Sequence, residues 1–402
     1  MKPRFLEGVR ICDVTWAGAG PFCTKIFSDF GADVIKVEST RRLDSVRIGG
    51  PFKDRKFGVN RSGYFASRNT GKKSVVLDMK SERGREILHE LIRCSDVISN
   101  NFAPGAMERL GLSYESVCAI RPDIVYLSMP MYGASGPRAQ LPGVGMTISA
   151  VTGLMWSTAY RDGDPVGPGT HYPDHAANPY HAAFAVLAAL RRRRLTGVGA
   201  KIDLSQVEST TNFIGAAVVQ CAMEGRDRPQ IGNASEEAAP HGIYRGAGED
   251  DWIAVAITTD EEWRRLAPFI GLDGARGLDR AAERIARRGE LDQVLGKWLA
   301  DQDATAAAER LRAAGVPAAV VAHSQYLIER DAHLAGRGYW QRVEHPELGR
   351  SLYASPPYRI DGERVELSRP PLLGEHTREV LASLLGRSEA ELDELETTRV
   401  FT

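Results

Sequence analysis

The sequence of residues 9–38 is VRICDVTWAGAGPFCTKIFSDFGADVIKVE, and this stretch decides the fold. Its first part, 9–14, predicts a buried strand, because apolar residues dominate it. AGAGP at 17–21 predicts a turn, and residues 21–31 predict a helix. ADVIKVE at 32–38 predicts a second buried strand. A strand, a helix and another strand in this order pair in parallel across a right-handed crossover, so the stretch predicts the first unit of an α/β sheet.

The same alternation continues along the chain. KSVVLDM at 73–79, DVISNNF at 96–102 and DIVYLSM at 123–129 predict further strands. Between the first two, residues 81–94 predict an amphipathic helix with Ser81 as its N-cap. Strands that alternate with helical segments predict a doubly wound α/β domain with a parallel sheet.

Two long helices follow, and each is predicted to end at a glycine. NPYHAAFAVLAALRRRR at 178–194 runs to Gly197 or Gly199, either of which can adopt the left-handed conformation of a helix C-terminus. A strand at 200–205 then precedes a helix at 206–224, which ends at Gly225. The four adjacent arginines at the end of the first helix point in several directions, which favours a solvated helix end over a phosphate site.

The length of 402 residues allows two to three domains. The composition changes after residue 225, where a polar, glycine-containing loop leads to a predicted hairpin around Gly246–Asp251. We therefore expect residues 1–225 to begin a large domain and 226–325 to form a smaller α/β domain. Residues 326–402 contain proline-rich extended stretches and two helices, the last opening with a capping box from Ser388 to Glu391. This tail is expected to return to the large domain.

Charge and cysteine content argue against several classes of protein. Lysine and arginine number 51 against 52 acidic residues, a net charge of −1, so no global field favours nucleic acid or an acidic membrane. The five cysteines lack CxxC spacing and the nine histidines lack ligand spacing, so neither disulfides nor a metal site is expected. The N-terminus lacks a signal-peptide core, and the longest apolar run, Ala182–Leu190, is too short to span a bilayer. A cytoplasmic protein is predicted.

The turn after the first strand also admits a nucleotide hypothesis. Ala17–Gly20 resembles the start of a dinucleotide fingerprint, and Glu38 at the end of the second strand could meet a ribose hydroxyl. The third glycine of the fingerprint is replaced by Cys23, which argues against a nicotinamide cofactor. A helix N-terminus that approaches a phosphate or an acyl group remains compatible with this turn.

The segment HYPDHAANPYHAA at 171–183 carries the candidate nucleophile. Asp174 follows a proline in a predicted extended segment just before a helix, where free main-chain donors can hold a carboxylate reactive. The alternative is that Asp174 only caps that helix. No serine, cysteine or metal site accompanies it in sequence, so covalent chemistry here would use the carboxylate as nucleophile.

Taken in order, six stretches resemble the class III CoA-transferase family, also called the carnitine dehydratase and bile-acid-inducible family. The resemblance covers nearly the whole chain. The stretches are AGAGPFCTKIFSDFGADVIKVE, NTGKKSVVLDMKSERGREIL, NNFAPGAMERLG, LSMPMYGASGP, YPDHAANPYHAAFAVLAALRRRRLTGVGAKIDLS and PPLLGEHTREVL.

The resemblance implies a fold and a reaction. It implies a Rossmann-like large domain completed by the C-terminal segment, a smaller domain, and two subunits threaded through each other, either identical or homologous. It further implies that Asp174 attacks an acyl-CoA thioester and that CoA passes to a carboxylic acid. No permanently bound cofactor is then required, since coenzyme A is part of the substrate.

The resemblance also implies a CoA-binding site, residue by residue. Ala17, Gly18 and Ala19 would line the pantetheine and the reacting end. Leu77 and Lys80 would contact the adenosine part, with Lys80 near its phosphates. The remaining matches are Asn101 and Phe102, which would flank the CoA arm, and Arg109, which would pair with phosphate.

Several positions at which this sequence departs from the family pattern restrict the range of reactions and substrates to be expected. Gly18 replaces the glutamine of the oxalate-using branch, and residues 226–250 lack that branch's run of four glycines. LPGVGM at 141–146 lacks the histidine of the racemase branch, which disfavours the racemase or isomerase alternative. Asn178 replaces the usual glycine after the aspartate. The sequence around Asp174 is most similar to that of the branch that uses succinyl-CoA or similar donors with substituted dicarboxylic or aromatic acids. The sequence names neither donor nor acceptor.

Overall fold

The computed structural model describes residues 4–160 and 163–402. These residues form two compact units, here called the large unit and the small unit. The large unit comprises the chain up to Met155, Gly167–Asp227 and Ala335–Thr402; the small unit comprises Trp156–Val166 and Arg228–Leu334. The division into domains at 1–225, 226–325 and 326–402 stays a prediction.

The strands of the described residues form three sheets. In chain order they are β1 (Arg10–Asp13), β2 (Asp33–Glu38), β3 (Lys73–Val76), β4 (Val97–Asn100), β5 (Val125–Ser128), β6 (Ala200–Asp203), β7 (His241–Arg245), β8 (Trp252–Ala256), β9 (Ala318–Val320), β10 (Trp340–His345) and β11 (Gly349–Ala354). The first six form one sheet in the order β3-β2-β1-β4-β5-β6, and every pair in it is parallel. The predicted α/β fold with a parallel sheet is therefore confirmed.

The helices lie mainly between these strands. In chain order they are α1 (Ala19–Asp29), α2 (Ser45–Ile48), α3 (Gly63–Arg68), α4 (Glu82–Arg93), α5 (Ala106–Arg109), α6 (Tyr114–Ile120), α7 (Gly145–Val151), α8 (Leu154–Ser157), α9 (Asn178–Thr196), α10 (Gln206–Thr211), α11 (Gly215–Glu224), α12 (Asp260–Leu266), α13 (Ala281–Ala286), α14 (Arg288–Leu299), α15 (Ala304–Ala313), α16 (Ser324–Glu329), α17 (Ala332–Gly336), α18 (Thr377–Leu385) and α19 (Glu389–Thr397). No helix in the described ranges has the length and apolar character needed to cross a membrane.

Both faces of the six-stranded sheet are covered, because neighbouring strand residues point to opposite sides. On β1, Cys12 packs into a core shared with α4, α6, α18 and α19, while Ile11 packs into a core shared with α1 and α9. Leu381 and Leu392 bring the C-terminal helices into the first of these cores. The strand order reverses between β1 and β4, and at such a point the loops after the strands leave a crevice that binds ligands.

The small unit contains its own core around a three-stranded antiparallel sheet in the order β7-β8-β9. The predicted hairpin is confirmed: β7 and β8 pair antiparallel, and Gly246 donates its main-chain hydrogen bond to the carbonyl of Asp251 at 2.7 Å.

The predicted helix ends are confirmed, but one of the predicted helices is wrong. Ser81 and Ser388 cap their helices, the latter in a full capping box, and Gly197 and Gly225 end theirs in the left-handed conformation. The single helix predicted at 206–224 is instead broken by a 3-10 turn at Asn212–Ile214. Polar side chains explain the break, because the hydroxyl and amide groups of three successive residues bond back to carbonyls one turn earlier: Thr210, Thr211 and Asn212.

Candidate active site

Asp174 lies in a π-helical turn, Pro173–Ala177, that runs directly into α9. The main-chain N–H of Asn178 donates to the carbonyl of Pro173, five residues earlier, and Pro179 has no N–H with which to continue an ordinary α-helical ladder. The predicted extended conformation is therefore wrong. The alternative that Asp174 caps the helix is wrong too, because Ala177 occupies the N-cap position without a side-chain bond. Single π-helical turns occur frequently at functional sites.

Two glycines fix the space around the Asp174 carboxylate. A Cβ atom placed on Gly18 would lie 2.8 Å from both Cβ and Oδ2 of Asp174. A Cβ atom placed on Gly145 would lie 2.7 Å from the same Oδ2 and 2.8 Å from Cβ of His171. Real Cβ atoms do not approach so closely, so both positions need glycine for the carboxylate to stand where it does. The loop after β1 and the start of α7 thus flank the candidate nucleophile.

Burial makes this carboxylate a better nucleophile. It raises the pKa of Asp174 to about 6, while the charges of His171 and Arg68 act in the opposite direction. Within the described residues, no side chain or main-chain N–H donates a hydrogen bond to it. Burial also lowers the pKa of His175 to about 4, so this neighbour is neutral at physiological pH. The anion at position 174 is therefore neither paired nor capped, which leaves its lone pairs available.

The pKa of Asp174 predicts a pH dependence for any reaction in which this carboxylate is the nucleophile. Because only the ionised form is nucleophilic, kcat/KM of such a reaction should fall about tenfold per pH unit below about 6 and level off above it. Initial rates between pH 4.5 and 8.5 test this, with thermal melting at each pH to separate titration from unfolding. A rate independent of pH across 5–6 would contradict the assignment.

Three polar side chains, two of them buried, clamp the loop that carries Gly18. Asn101 accepts from the main-chain N–H of Trp16 and donates to its carbonyl, both at 2.8 Å. Asp44 accepts from the N–H of Ala17 at 2.9 Å, and Lys36 donates to the carbonyl of Thr15 at 2.7 Å. Lys36 and Asp44 are themselves an ion pair, 3.2 Å apart and almost fully buried. The clamp holds Ala17 at a φ of 61°, which a non-glycine residue rarely adopts.

A second buried network anchors the beginning of the same loop. Asp13, at the end of β1, accepts from Lys72 at 3.0 Å and from Thr24 of α1 at 2.6 Å. Its other oxygen accepts from the main-chain N–H of Thr15 at 3.0 Å. Burial lowers the pKa of Lys72 to about 8, although Asp13 favours its charge. Neither network could be predicted from the sequence, because only the fold brings these charged side chains together.

Glu38 is occupied by protein partners, which bears on the nicotinamide hypothesis. Both of its oxygens accept from Arg47, each at 2.7 Å, and Ser74 donates to it as well. Glu38 and Arg47 are almost completely buried. A carboxylate held in this way is not free to bind a ribose hydroxyl, so the dinucleotide hypothesis loses its second anchor.

Comparison with known proteins decides the family. The model described as CoA-transferase family III matches residues 6–377. The chain belongs to CoA-transferase family III. It is 31% identical to a formyl-CoA:oxalate CoA-transferase of Streptomyces coelicolor, covering all of both chains. It is also 31% identical to the succinyl-CoA:glutarate CoA-transferase of Mus musculus, over 98% of this chain and 89% of that one. These two relatives differ in donor and acceptor yet match equally well.

A solved structure shares the fold. The crystal structure of a CAIB/BAIF family protein from Brucella suis superposes with a TM-score of 0.87 at 27% identity, covering 95% of this chain and all of that one. The recognition of the family from its sequence motifs is thus confirmed. Family III membership also supports CoA thioesters and carboxylates as the class of substrate.

The fold places most of the predicted CoA-binding residues of this family III chain at one edge of the sheet. Gly18 lies against Asp174, and Trp16, next to Ala17, meets Phe102 edge to face with 5.7 Å between ring centroids. Lys80 and Arg109 are exposed and follow β3 and β4. All of these loops leave the carboxyl ends of parallel strands, where family III would be expected to bind its thioester.

Some side chains cannot contact CoA as first expected. The side chain of Leu77 is completely buried in the core, so a contact with adenosine would use its main chain. The amide of Asn101 is occupied by the main chain of Trp16. Ala19 is buried as the first residue of α1. In the described part of the chain, no group of three or more histidine, cysteine or acidic residues is arranged to hold a metal ion.

Proposed function

We propose that this family III protein transfers CoA from an acyl-CoA to a carboxylic acid, with Asp174 as the covalent nucleophile. The observation that supports this is the unpaired, part-buried carboxylate at the π-helical turn, flanked by Gly18 and Gly145. A nucleophile needs an approach that is open and free of competing donors, and the two glycines leave the approach without side chains.

The proposed transfer takes four steps. An oxygen of Asp174 attacks the thioester carbonyl, the C–S bond breaks, and a mixed anhydride and CoA thiolate form. The thiolate attacks the aspartyl carbonyl, releasing the first acid and leaving an aspartyl-CoA thioester. The acceptor carboxylate attacks this thioester, which gives a second mixed anhydride and thiolate. The thiolate then attacks the acceptor's carbonyl, and Asp174 leaves as a free carboxylate.

The proposed CoA site uses the loops at the carboxyl edge of the sheet. Ala17–Ala19 would contact the pantetheine beside Asp174, and Phe102 would flank the CoA arm. Lys80 and Arg109 carry exposed charges that can meet phosphates. Leu77 would contribute only main-chain atoms, and Asn101 would act by holding Trp16. A chain with a net charge of −1 can bind a polyanion in this way, because the cations are local.

For the substrates, we propose a succinyl-CoA-like donor and a substituted acid as acceptor. Gly18 stands where the oxalate-using branch carries glutamine, which argues against formyl transfer to oxalate. The relative from Mus musculus uses succinyl-CoA, as its name states, and it matches over almost the whole chain.

We also propose that two chains interlock, either as a homodimer or with a homologous subunit. Large apolar side chains on the outer faces of α9 and α11 support this proposal. Phe184 is 75% exposed and Met223 is 82% exposed, and a partner chain would cover such side chains.

Trapping the intermediate tests the mechanism. The protein is incubated with succinyl-CoA and hydroxylamine, digested, and mapped by mass spectrometry. We expect a hydroxamate on the peptide that contains Asp174 and on no other peptide, because hydroxylamine attacks both the anhydride and the thioester. Omission of the CoA thioester is the control. Modification at another carboxylate would refute the proposal.

A further inference from the structure

A cavity of about 680 Å³ lies within the large unit, next to the turn that carries Asp174. Its walls come from α1, α3, the π-helical turn and the β10–β11 hairpin with the residues after it. Aromatic rings supply much of the lining, among them Phe22, Phe52, Tyr180, Tyr339 and Tyr358. Small-molecule sites typically enclose ~300–1,000 Å³ with mainly apolar walls and a few polar groups, and this cavity matches that description.

The charged side chains of the cavity favour an anion. Three cations, Lys25, Lys53 and Arg68, line it against one carboxylate, Asp29. Lys25 is paired with Asp29, and Lys53 lies 3.5 Å from the carboxylate of the exposed Asp54, so Arg68 is the cation of this lining that has no carboxylate partner among the described residues. His175, which also lines the cavity, is neutral at physiological pH because burial lowers its pKa to about 4.

Arg68 has no anionic partner. Within the described residues no carboxylate lies within ion-pair distance of its guanidinium, and its Nε atom is buried without a hydrogen-bond partner. The two completely buried arginines behave differently: Arg47 pairs with Glu38 at 2.7 Å and Arg284 with Asp260 at 2.9 Å. A largely buried cation without a counter-ion is costly, so the absence of a protein partner points to a ligand that supplies the negative charge.

Arg68 also connects the cavity with the nucleophile. Its guanidinium lies over the ring of Phe22, 4.6 Å from the centroid, and 5.7 Å from the ring centroid of Tyr64 on the same helix. Tyr64 in turn lies 3.2 Å from Nε2 of His175, the residue after Asp174. The charge of Arg68 acts on the Asp174 carboxyl, which places the two groups within electrostatic reach of each other.

We propose that this cavity binds the acid substrate, with the acid's carboxylate on Arg68 and an aromatic or bulky apolar body against the rings. The inference rests on the proposed function, because the bound acid must go on to react at Asp174. The substrate class that follows is an acid that places one carboxylate near Asp174 and carries a large apolar group. A small acid such as formate does not belong to this class.

Direct binding measurements test this inference without any turnover. The probes are 3-phenylpropanoate and its neutral amide, titrated by calorimetry into the full chain. We expect the acid to bind at least about tenfold more tightly than the amide, because only the acid forms a charge-assisted pair with Arg68. In Arg68→Met this preference should disappear, and Arg68→Gln provides a second variant that keeps a polar side chain.

A cavity-filling variant tests the location. Gly63 lines the cavity, and a Cβ atom there meets only ordinary contacts, the nearest being the carbonyl of Pro51 at 3.5 Å. Gly63→Leu should weaken binding of both probes at least about tenfold, because it occupies the space of the apolar body. Gly215→Leu is the matched control, since nothing lies within 4 Å of a Cβ at that position.

Each of these measurements tests whether the cavity binds the acid. Equal affinity for acid and amide, a preference that survives in folded Arg68→Met or Arg68→Gln, or unchanged binding in folded Gly63→Leu would overturn the inference. Thermal melting establishes that each variant is folded. Hydroxylamine trapping at Asp174 without the acid preference would refute this inference alone, whereas the preference without trapping would refute only the catalytic role of Asp174.

Discussion

Asp174→Asn is expected to reduce CoA transfer by at least about 10³-fold and to abolish hydroxylamine trapping. The amide cannot form the mixed anhydride, so the covalent route is closed, and removal of a covalent nucleophile usually costs this much or more. The measurement is the rate of CoA transfer from succinyl-CoA to a panel of carboxylic acids, with mass mapping of the trapped peptide. Transfer at the wild-type rate would falsify the mechanism.

The same substitution should stabilise the protein. Burial raises the pKa of Asp174 from 3.8 to about 6, so the ionised form is disfavoured in the folded state relative to the unfolded chain. This cost is fully present above about pH 6 and vanishes as the pH falls to about 4, where the carboxyl is protonated in both states. The Asp174→Asn variant avoids the cost, and the gain at pH 7.5 should be about 2–3 kcal/mol as an upper value.

Melting at two pH values distinguishes this effect from general repacking. The variant should melt a few degrees above the wild-type protein at pH 7.5, and the difference should shrink towards pH 4.5. Asp203→Asn is a control on an exposed carboxylate at the same edge of the sheet, where no comparable gain is expected. A stabilisation of Asp174→Asn that is equal at both pH values would show that the charge is not its cause.

Gly145→Ala is expected to lower kcat by about 100-fold while leaving the protein folded. Its Cβ would lie 2.7 Å from Oδ2 of Asp174, so the carboxylate must rotate away from its position. The added methyl group would also lie 2.8 Å from Cβ of His171, so the turn must shift locally, which should lower the melting temperature as well as displace the carboxylate. Displacements of about 1 Å can cost about 10²-fold in rate.

The neighbouring positions supply controls for this prediction. Gly215→Ala adds the same methyl group at the start of α11, where nothing lies within 4 Å, and should leave kcat unchanged. Gly18→Ala meets Cβ of Asp174 as well as Oδ2, so it should reduce both kcat and thermal stability. Gly145→Ala with wild-type kcat would show that the present position of the carboxylate is not the reactive one.

The order of strands and helices could be predicted because it depends on local signals. Apolar runs at 9–14 and 32–38 around one helix forced parallel pairing, and serine caps and left-handed glycines marked helix ends correctly. The π-helical turn could not be predicted. It depends on Asn178 bonding five residues back, which two prolines and a buried packing position together impose.

Part of the candidate site could likewise be predicted from the sequence, and part of it could not. Motif similarity identified Asp174 and the loop of Gly18, because these residues stand in contiguous, recognisable stretches. Gly145, Arg68, Lys36 and Asp44 carried no such signal, since each is distant from Asp174 in the chain and ordinary in its local sequence. Glu38, predicted as a candidate for a ribose, proved to be paired with Arg47.

The sequence by itself determined the parallel α/β architecture and the family, and it singled out Asp174 as the proposed nucleophile, because periodicity, caps and motifs are local properties. Only the tertiary structure decided the surroundings of the Asp174 carboxylate. Burial raises the pKa of Asp174, two glycines open its surroundings, and the Lys36–Asp44 pair holds the facing loop. These effects depend on desolvation and on distances between residues far apart in the chain, which no local pattern contains.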